Sequence, residues 1–477
     1  MADALTKASG SSLTSQGALV APITELDLIL QACDPGKPLT PGDKRYADFT
    51  DLRQGVSVKQ LEKALTARYF DHNCLHACLS GHRGSGKSTE LLFLKQWADE
   101  NGFFTVRTEV DEALGMIPLD SADLFLLAAR SVEAAMAEAG HPIPSAKLKH
   151  IVQWFAEVVQ EDEQKTHSEL NTEAGVQLGG KVFTLGGLFA KFTAGLKASS
   201  DHAVKTRQRL RNYPDHLADL TKDLLRSANE ILQTQGKPRG LLLLFDNLDR
   251  YEPEIIDKTL FRGRSLVERL ACHAIFTIPI ALEYEPLSGA IQDYYGFSLV
   301  LPMLSMRKKS DPWASTVAES KFDAAAVAKV RAALEQRIVI SQLFEKSDDA
   351  DLLIKMSGGC IRDLMHLLTL SFRHTLDLNH LTSLAVQKAI RQMRATYLRQ
   401  LNSDDYARLA YIARHKQMRP EDDAQFASQQ KSHLLFHRYA LEYLDENDRP
   451  WIDVHPLVIE TEEFQDAYNS TKTIISS

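Results

Sequence analysis

The chain has 477 residues, a formal net charge of −8 at pH 7 and a hydrophobic fraction of 44%. These values are typical of an ordinary globular protein that is long enough for two or three domains. They argue against a protein whose main task is to coat nucleic acid, although a local basic patch is compatible with an acidic total. The five cysteines are scattered, which predicts reduced thiols in the cytoplasm. No signal-peptide pattern is seen, and no apolar run approaches the roughly 18 residues that span a bilayer, so no membrane contact is expected.

The first elements in chain order predict an α/β domain over residues 23–305. Residues 1–22 are rich in Ser, Ala and Thr and are expected to form a flexible tail. A helical pattern from Asp48 to Phe70 leads into the first of five apolar strands. The predicted strands are Leu75–Ser80, Phe103–Val110, Leu241–Phe245, Ala274–Ile280 and Phe297–Met303. Helical segments separate most of them, which is typical of a parallel sheet covered by helices.

The interval between the second and third strands is too long for a single crossover. A helix near Ala122–Ala139 is followed by an inserted helical region of about a hundred residues, at about 141–235. The insertion contains a basic run, Lys205–Arg211, in which Arg207 and Arg211 fall on one helical face. A solvated face is the default interpretation, and contact with a phosphate or a partner is the alternative.

After the fifth strand the sequence becomes Ala-rich and helical. The stretches Phe322–Glu345 and Ala350–Thr375 predict a small helical domain over residues 306–390. In the second stretch Gly358 and Gly359 are adjacent, and such a pair could let the following helix change its approach to the sheet domain.

Residues 391–477 show a different order of elements. Two or three helices are followed by a strand-like run at Tyr439–Leu444, a turn, and a second run at Trp451–Val454. Helices followed by a hairpin predict a winged-helix-like C-terminal domain. Because Asp and Glu slightly outnumber Lys and Arg in this region, protein contact or packing is favoured over DNA binding.

A complete G-x-x-x-x-G-K-S pattern spans Gly81 to Ser88, between the first predicted strand and a helical run. Its glycines let the backbone turn tightly, so that successive N–H groups form an anion-binding nest at a helix N-terminus. Lys87 would reach the β- and γ-phosphates of a nucleoside triphosphate, and the Ser88 hydroxyl would bind Mg²⁺. The alternative is a Gly-rich turn without a ligand. The predicted nucleotide-binding residues are Gly81, His82, Arg83, Gly84, Ser85, Gly86, Lys87, Ser88 and Thr89.

A second member of this site is expected on a strand beside the first. The run Gly240–Phe245 lacks alternation, which is typical of a strand buried on both faces of a parallel sheet. Asp246 follows at its carboxyl end, where ligands of open α/β sheets bind. We therefore expect Asp246 to hold Mg²⁺ opposite Ser88, with a structural helix cap as the alternative.

The residue after Asp246 is Asn247, which cannot polarise an attacking water as a glutamate would. Asp249 lies two residues further on and is the candidate catalytic acid. Its alternative role is to cap a helix that begins near Tyr251. The sequence therefore supports nucleotide binding more strongly than hydrolysis.

These passages resemble the AAA+ class of P-loop ATPases, and within it the STAND-type, KAP-type and origin-recognition-type ATPases. The resemblance covers most of residues 45–375. It is carried by four passages, Gly81–Leu91, Phe245–Arg250, Ile275–Pro279 and Ser357–Leu364. It implies that residues 306–390 are a helical lid over the nucleotide.

The resemblance also implies roles for single residues. Thr277 would be a sensor 1 residue near the γ-phosphate, and its alternative is a strand residue without a partner. Arg362, on the lid helix, would be a sensor 2 residue that stabilises phosphate charge, and its alternative is a surface salt bridge with Asp363 or another neighbour. Arg262 and Arg264 lie between the third and fourth strands, where AAA+ proteins often place an intersubunit arginine finger.

The function that the resemblance implies is a regulatory ATPase that uses ATP and Mg²⁺. Asp246–Asn247 departs from the Asp-Glu pair of strong AAA+ motors, which favours a slow switch. Such a switch would change its conformation or oligomeric state and act as a homo-oligomer or on a protein partner. The alternatives are a DNA-binding initiator or loader ATPase and a nucleotide-stabilised scaffold without turnover.

Overall fold

The structure is a computed structural model that describes most of the chain. The described residues are 26–70, 74–116, 119–160, 176–178, 181–198, 201–261, 269–285, 291, 295, 297–375, 380–419 and 432–475. The predicted tail at residues 1–22 lies outside them, as do Arg262 and Arg264. Within these ranges, no helix combines the length and the hydropathy that crossing a membrane requires.

A central sheet of five parallel strands confirms the predicted α/β fold. The strands of this sheet are β1 (His76–Gly81), β2 (Phe103–Glu109), β5 (Gly240–Asp246), β6 (His273–Pro279) and β7 (Ser298–Val300), and a separate hairpin consists of β3 (Val176–Leu178) and β4 (Lys181–Phe183). The first four lie within one residue of their predicted bounds. The fifth is shorter than predicted, because the chain leaves the sheet and Met303 donates its N–H to Glu442 in the C-terminal region.

The order of strands across the sheet is β2–β5–β6–β1–β7, so β6 lies between the two strands that carry the sequence motifs. The expectation that these two strands are neighbours is therefore wrong. All residues of β5 and β6 are buried, which explains why neither shows alternation. Because the strands are parallel, the carboxyl ends of β1, β5 and β6 still meet at one edge.

Helices cover both faces of the sheet. They are α1 (Leu26–Ala32), α2 (Lys59–Phe70), α3 (Lys87–Glu100), α4 (Val110–Leu114), α5 (Ser121–Glu138), α6 (Ser145–Gln160), α7 (Leu185–Lys197), α8 (Asp201–Asn212), α9 (Pro214–Thr234) and α10 (Pro253–Ile256). One face packs against α2 and α3, where Leu61 and Leu91 belong to one core with Leu79 of β1. The other face packs against α5 and α9, where Leu127 and Leu225 share a second core with the inserted helices.

The inserted region is helical, as predicted, and its basic run is used inside the protein. Arg207 donates to the Asp123 carboxylate at 2.5 Å, and Arg211 lies 3.3 Å from Asp120. Both acids form the capping box at the start of α5. The Arg207 side chain is only 11% exposed, so the interpretation of a solvated face is wrong for this residue.

The helices after the sheet are shorter than the sequence suggests. They are α11 (Ala324–Glu335), α12 (Ile340–Leu343), α13 (Ser347–Met356), α14 (Ile361–His374), α15 (Ser383–Leu398), α16 (Ser403–His415), α17 (Pro456–Ile459) and α18 (Glu462–Ile475). Gly358 and Gly359 separate α13 from α14, and both have positive φ angles. A Cβ atom at Gly359 would lie 2.1 Å from the carbonyl oxygen of Leu304, so this glycine permits a close packing contact and not a loose joint.

The C-terminal region contains the predicted hairpin, formed by β8 (Ala440–Leu444) and β9 (Pro450–Val454) and called here the C-terminal hairpin. Its side chains share one apolar core with α13, α14 and α16, to which Leu353, Leu367 and Leu409 contribute. The predicted domain boundary at residue 390 lies inside α15. Residues 420–431 are not among those described, so the winged-helix-like assignment stays a prediction.

Candidate functional site

The loop Gly81–Ser88 joins β1 to α3 and is packed tightly on two sides. Gly81, Gly84 and Gly86 have φ angles of +152°, +89° and +102°, which L side chains rarely adopt. A Cβ atom at Gly81 would lie 2.6 Å from the carbonyl oxygen of Leu301. One at Gly84 would lie 2.7 Å from the Arg362 Cβ, so the first turn of α14 presses on the loop. The spacing of glycines in the motif thus reflects packing as well as backbone conformation.

The Lys87 side chain is 4% exposed and turns back into the loop. Its ammonium donates to the carbonyl oxygens of Gly81, at 2.7 Å, and His82, at 2.8 Å. The Asp249 carboxylate lies 2.9 Å away and completes an ion pair. Burial lowers the pKa of Lys87, against the opposing effect of Asp249. Since an ammonium group has three donors, all of them have partners.

Asp249 lies in a short turn of 3₁₀-helix, Leu248–Arg250, directly after β5. The next helix, α10, begins at Pro253 with Glu252 at its N-cap position. The alternative role of Asp249 as a helix cap is therefore wrong. Its side chain is 10% exposed and faces the Lys87 ammonium, so the sequence motif and this acid belong to one site.

Thr277 of β6 is completely buried, beside the end of β5. Its hydroxyl donates to the carbonyl of Phe245 at 3.3 Å and accepts the N–H of Leu248 at 3.2 Å. These bonds hold the turn that carries Asp249. The alternative of a strand residue without a partner is wrong. Thr277 does not line the cleft beside the loop, and its sensor role stays a prediction.

Asp246 is completely buried at the end of β5, and both of its carboxylate oxygens have donors. One oxygen accepts the Ser88 hydroxyl at 3.1 Å and the Asn247 N–H at 2.8 Å. The other accepts two bonds from the Arg107 guanidinium, at 2.5 and 3.1 Å. Arg107 also donates to Glu109 at 2.5 Å. The predicted pair Ser88–Asp246 is thus brought together.

Arg107 is a site residue that the sequence reasoning missed. It lies on β2, which pairs directly with β5, and the register places Glu109 opposite Asp246. Two charged residues near the carboxyl end of an otherwise apolar strand are the signal that could have found it. Burial opposes the charge, but the pKa of Arg107 is raised because Asp246 and Glu109 stabilise the cation.

Arg53 is a second residue that was missed. It lies in a turn of 3₁₀-helix before α2 and is 4% exposed. Its guanidinium donates to the carbonyl of Ser85 in the loop and to Glu90 of α3, the latter at 3.2 Å. Burial lowers the pKa of Arg53, with Glu90 acting in the opposite direction. This contact fixes the orientation of a loop peptide from a segment that is distant in sequence.

A cleft lies beside the loop, between residues 34–49, the turn after β5, and helices α11 and α14. Its lining includes the amide-rich loop and several cations. The apolar lining residues are Leu39, Tyr46, Phe49, Leu334, Ile361 and Met365. The Leu39 N–H donates to the Thr89 hydroxyl at 3.2 Å, which joins the segment 34–49 to the loop. The arrangement suits an anion attached to a flat apolar group.

Arg362 lies in the first turn of α14 and lines the cleft. The alternative of a salt bridge with Asp363 is wrong, because Asp363 points the other way. Its carboxylate lies 3.0 Å from Arg438 and 2.9 Å from the Tyr397 hydroxyl. Burial alone would raise the pKa of Asp363, but Arg438 and His455 hold it well below its usual range.

Neither His82 nor Arg83 lines the cleft, and the side chains of both contact the C-terminal region. The His82 ring contacts the backbone of Leu435 and Glu442 in the C-terminal region. The Arg83 guanidinium lies over the ring of Phe436, with its carbon 5.9 Å from the centroid. Of the predicted loop residues, Gly84 to Thr89 line the cleft.

No family model and no curated protein matches the chain. Among solved structures, the ORC2 protein of Aeropyrum pernix, described as ADPNP and ADP complexes, is 12% identical; the match covers 94% of this chain and 98% of that one, with a TM-score of 0.39. The Aeropyrum pernix ORC1 protein, solved in complex with DNA, is 12% identical over 93% and 98% of the two chains, with a TM-score of 0.33.

Proposed function

We propose that the protein is a regulatory ATPase of the AAA+ class that binds ATP with Mg²⁺, hydrolyses it slowly and changes conformation or assembly in response. The observation that carries this proposal is the convergence of Lys87, Ser88, Asp246 and Asp249 at one edge of a parallel sheet. These are the residue types that a phosphoryl-transfer site needs.

The cleft supports binding of the whole nucleotide. The phosphates would lie against the loop N–H groups at the start of α3, and the base would contact apolar lining residues such as Tyr46 and Met365. Lys87 would exchange its two carbonyl bonds and its ion pair for charge-assisted bonds to phosphate. The phosphates must therefore compete with partners inside the protein, which is consistent with a site whose state is regulated.

Ser88 and Asp246 fit a Mg²⁺ site, because a hydroxyl and a carboxylate oxygen converge at 3.1 Å at the start of α3. When bound, the metal would neutralise charge on the phosphates. The second carboxylate oxygen is held by Arg107, so Asp246 would offer the metal one oxygen while the guanidinium retains the other. Arg107 thereby also limits how strongly the carboxylate can hold the metal.

Asp249 is the proposed catalytic carboxylate, acting as a general base, since Asn247 has no carboxylate. While Asp249 pairs with Lys87 its carboxylate is committed to the ammonium. Movement of Lys87 to the phosphates would release that carboxylate to orient a water. Arg362 would supply positive charge from the lid side of the cleft. A base that becomes available only after binding favours a slow switch over a motor.

The two alternative functions are a DNA-binding initiator or loader ATPase and a scaffold without turnover, and different observations bear on them. The basic run of the insertion does not support the DNA-binding alternative, because Arg207 and Arg211 pair with acids of the same domain. The scaffold without turnover draws support from the Lys87–Asp249 pair, which would block the catalytic acid if it persisted with nucleotide bound.

The first prediction concerns nucleotide binding. Lys87→Ala should weaken ATP binding at least about a hundredfold, because the loop loses the cation that would form charge-assisted bonds to the phosphates. Isothermal titration calorimetry measures the affinity, and circular dichroism checks the fold. Lys95→Ala is the matched control, because Lys95 lies two turns further along α3 and pairs with Asp99 on the surface. Unchanged ATP affinity in a folded Lys87→Ala protein would contradict the proposed binding site.

The second prediction concerns the metal. Arg107→Gln should lower the Mg²⁺ concentration at which ATP raises the melting temperature, because Asp246 then has a free oxygen for the metal. A titration of Mg²⁺ at fixed ATP, followed by thermal melting, measures this. Arg250→Gln is the control, because Arg250 pairs with Asp111 and not with Asp246. An identical Mg²⁺ dependence in Arg107→Gln and the parent would place the metal elsewhere.

The third prediction concerns hydrolysis. Asp249→Asn should bind ATP at least as well as the parent, because Lys87 is released, yet turn it over at least tenfold more slowly, a barrier change of about 1.4 kcal/mol. Phosphate release at saturating Mg²⁺ and ATP measures turnover. Asp111→Asn is the control, because it removes the acid that pairs with Arg250, the neighbour of Asp249 in the same turn. If Asp249→Asn lowers only the melting temperature, Asp249 is structural.

A further inference from the structure

The His82 side chain is 1% exposed and is bonded on both edges of its ring to the C-terminal region. Its Nε2 atom accepts the backbone N–H of Glu442 at 2.8 Å, and its Nδ1 atom lies 3.2 Å from the carbonyl of Leu435. Since Nε2 accepts, the ring carries its proton on Nδ1 and donates it to Leu435. Burial lowers the pKa of His82 to about 3, so this neutral arrangement persists at physiological pH.

The backbone of the same residue contacts the proposed phosphate-binding group. The His82 carbonyl accepts the Lys87 ammonium at 2.8 Å, so one residue touches Lys87 on one side and the C-terminal hairpin on the other. Glu442 is also held through its carbonyl, which accepts the N–H of Met303 at 3.0 Å. A change in the His82 peptide would therefore change the hydrogen bonds of β8 directly.

The segment 435–443, called here the coupling segment, also contacts the lid side of the cleft. The Arg438 guanidinium bonds Asp363, the neighbour of Arg362 on α14. The Tyr443 hydroxyl donates to the carbonyl of Gly358 at 2.7 Å. The coupling segment thus contacts the loop through His82 and the lid side through Asp363 and Gly358.

We propose that His82 is a positioning residue through which the C-terminal hairpin completes the nucleotide site and responds to its occupancy. This inference rests on the proposed function and specifies its regulation. When Lys87 moves to the phosphates, the His82 carbonyl loses its charged donor and keeps the Ser85 N–H, at 3.2 Å, so its peptide is held less firmly and reorients with the loop. Because both ring nitrogens are bonded to the coupling segment, that reorientation moves the segment or breaks the bond from Glu442. The output of the switch is then the position of the C-terminal hairpin.

Hydrogen exchange of the full-length chain, with and without Mg²⁺ and ATP, tests this inference through the Glu442 amide, which donates to His82. In the parent, saturating ATP should change the exchange rate of this amide at least about tenfold. In His82→Ala the amide should exchange fast in both states, and ATP binding should be weaker. His82→Gln, whose side-chain oxygen can accept the same N–H, should restore part of the response.

Tyr443→Phe is the matched control, because it removes a bond between the same hairpin and the lid without touching the loop. It should keep the ATP response of the Glu442 amide. A His82→Ala protein that keeps the response, or a parent that binds ATP in calorimetry without any change at Glu442, would overturn the inference and leave the proposed function standing. A parent that binds no ATP would contradict the proposed function itself.

Discussion

The rest of the site depends on the interactions of the buried Lys87 ammonium. It lies among two loop carbonyls and the Asp249 carboxylate, and burial makes each of these bonds costly to lose without a replacement. A phosphate group is such a replacement, because it offers charged oxygens in exchange. The proposed binding would therefore be linked to the release of Asp249 and of the His82 carbonyl. The proposed chemistry and the proposed signal both begin with the same displacement of one side chain.

The loop itself is held by parts of the chain that are far apart in sequence. Arg53 bonds its Ser85 carbonyl, α14 presses on Gly84, and the C-terminal region bonds His82. Each contact ties the loop to a different part of the chain. The proposed nucleotide site is thus assembled from the N-terminal segment, α14 and the C-terminal hairpin. Such a construction makes communication between these parts a direct consequence of packing.

The buried strands and the loop motif could be predicted from the sequence. Buried parallel strands have continuous apolar runs, and the loop motif has a fixed spacing, so β1, β5 and the position of Asp246 follow from short stretches of sequence. The contacts of Arg107 and Arg53 could not be predicted in this way. Each contact depends on which strands and segments are neighbours in space, and a short stretch of sequence does not determine that arrangement. The strand β6 was predicted, but its position between β1 and β5 was not, for the same reason.

A crystal structure of the full-length protein with Mg²⁺ and a non-hydrolysable ATP analogue tests the central claim most directly. The account predicts that the Lys87 ammonium contacts phosphate oxygens and has left both Asp249 and the carbonyl of His82. It would be contradicted by a nucleotide bound in the cleft while Lys87 keeps its ion pair with Asp249, or by a nucleotide bound at another place on the protein.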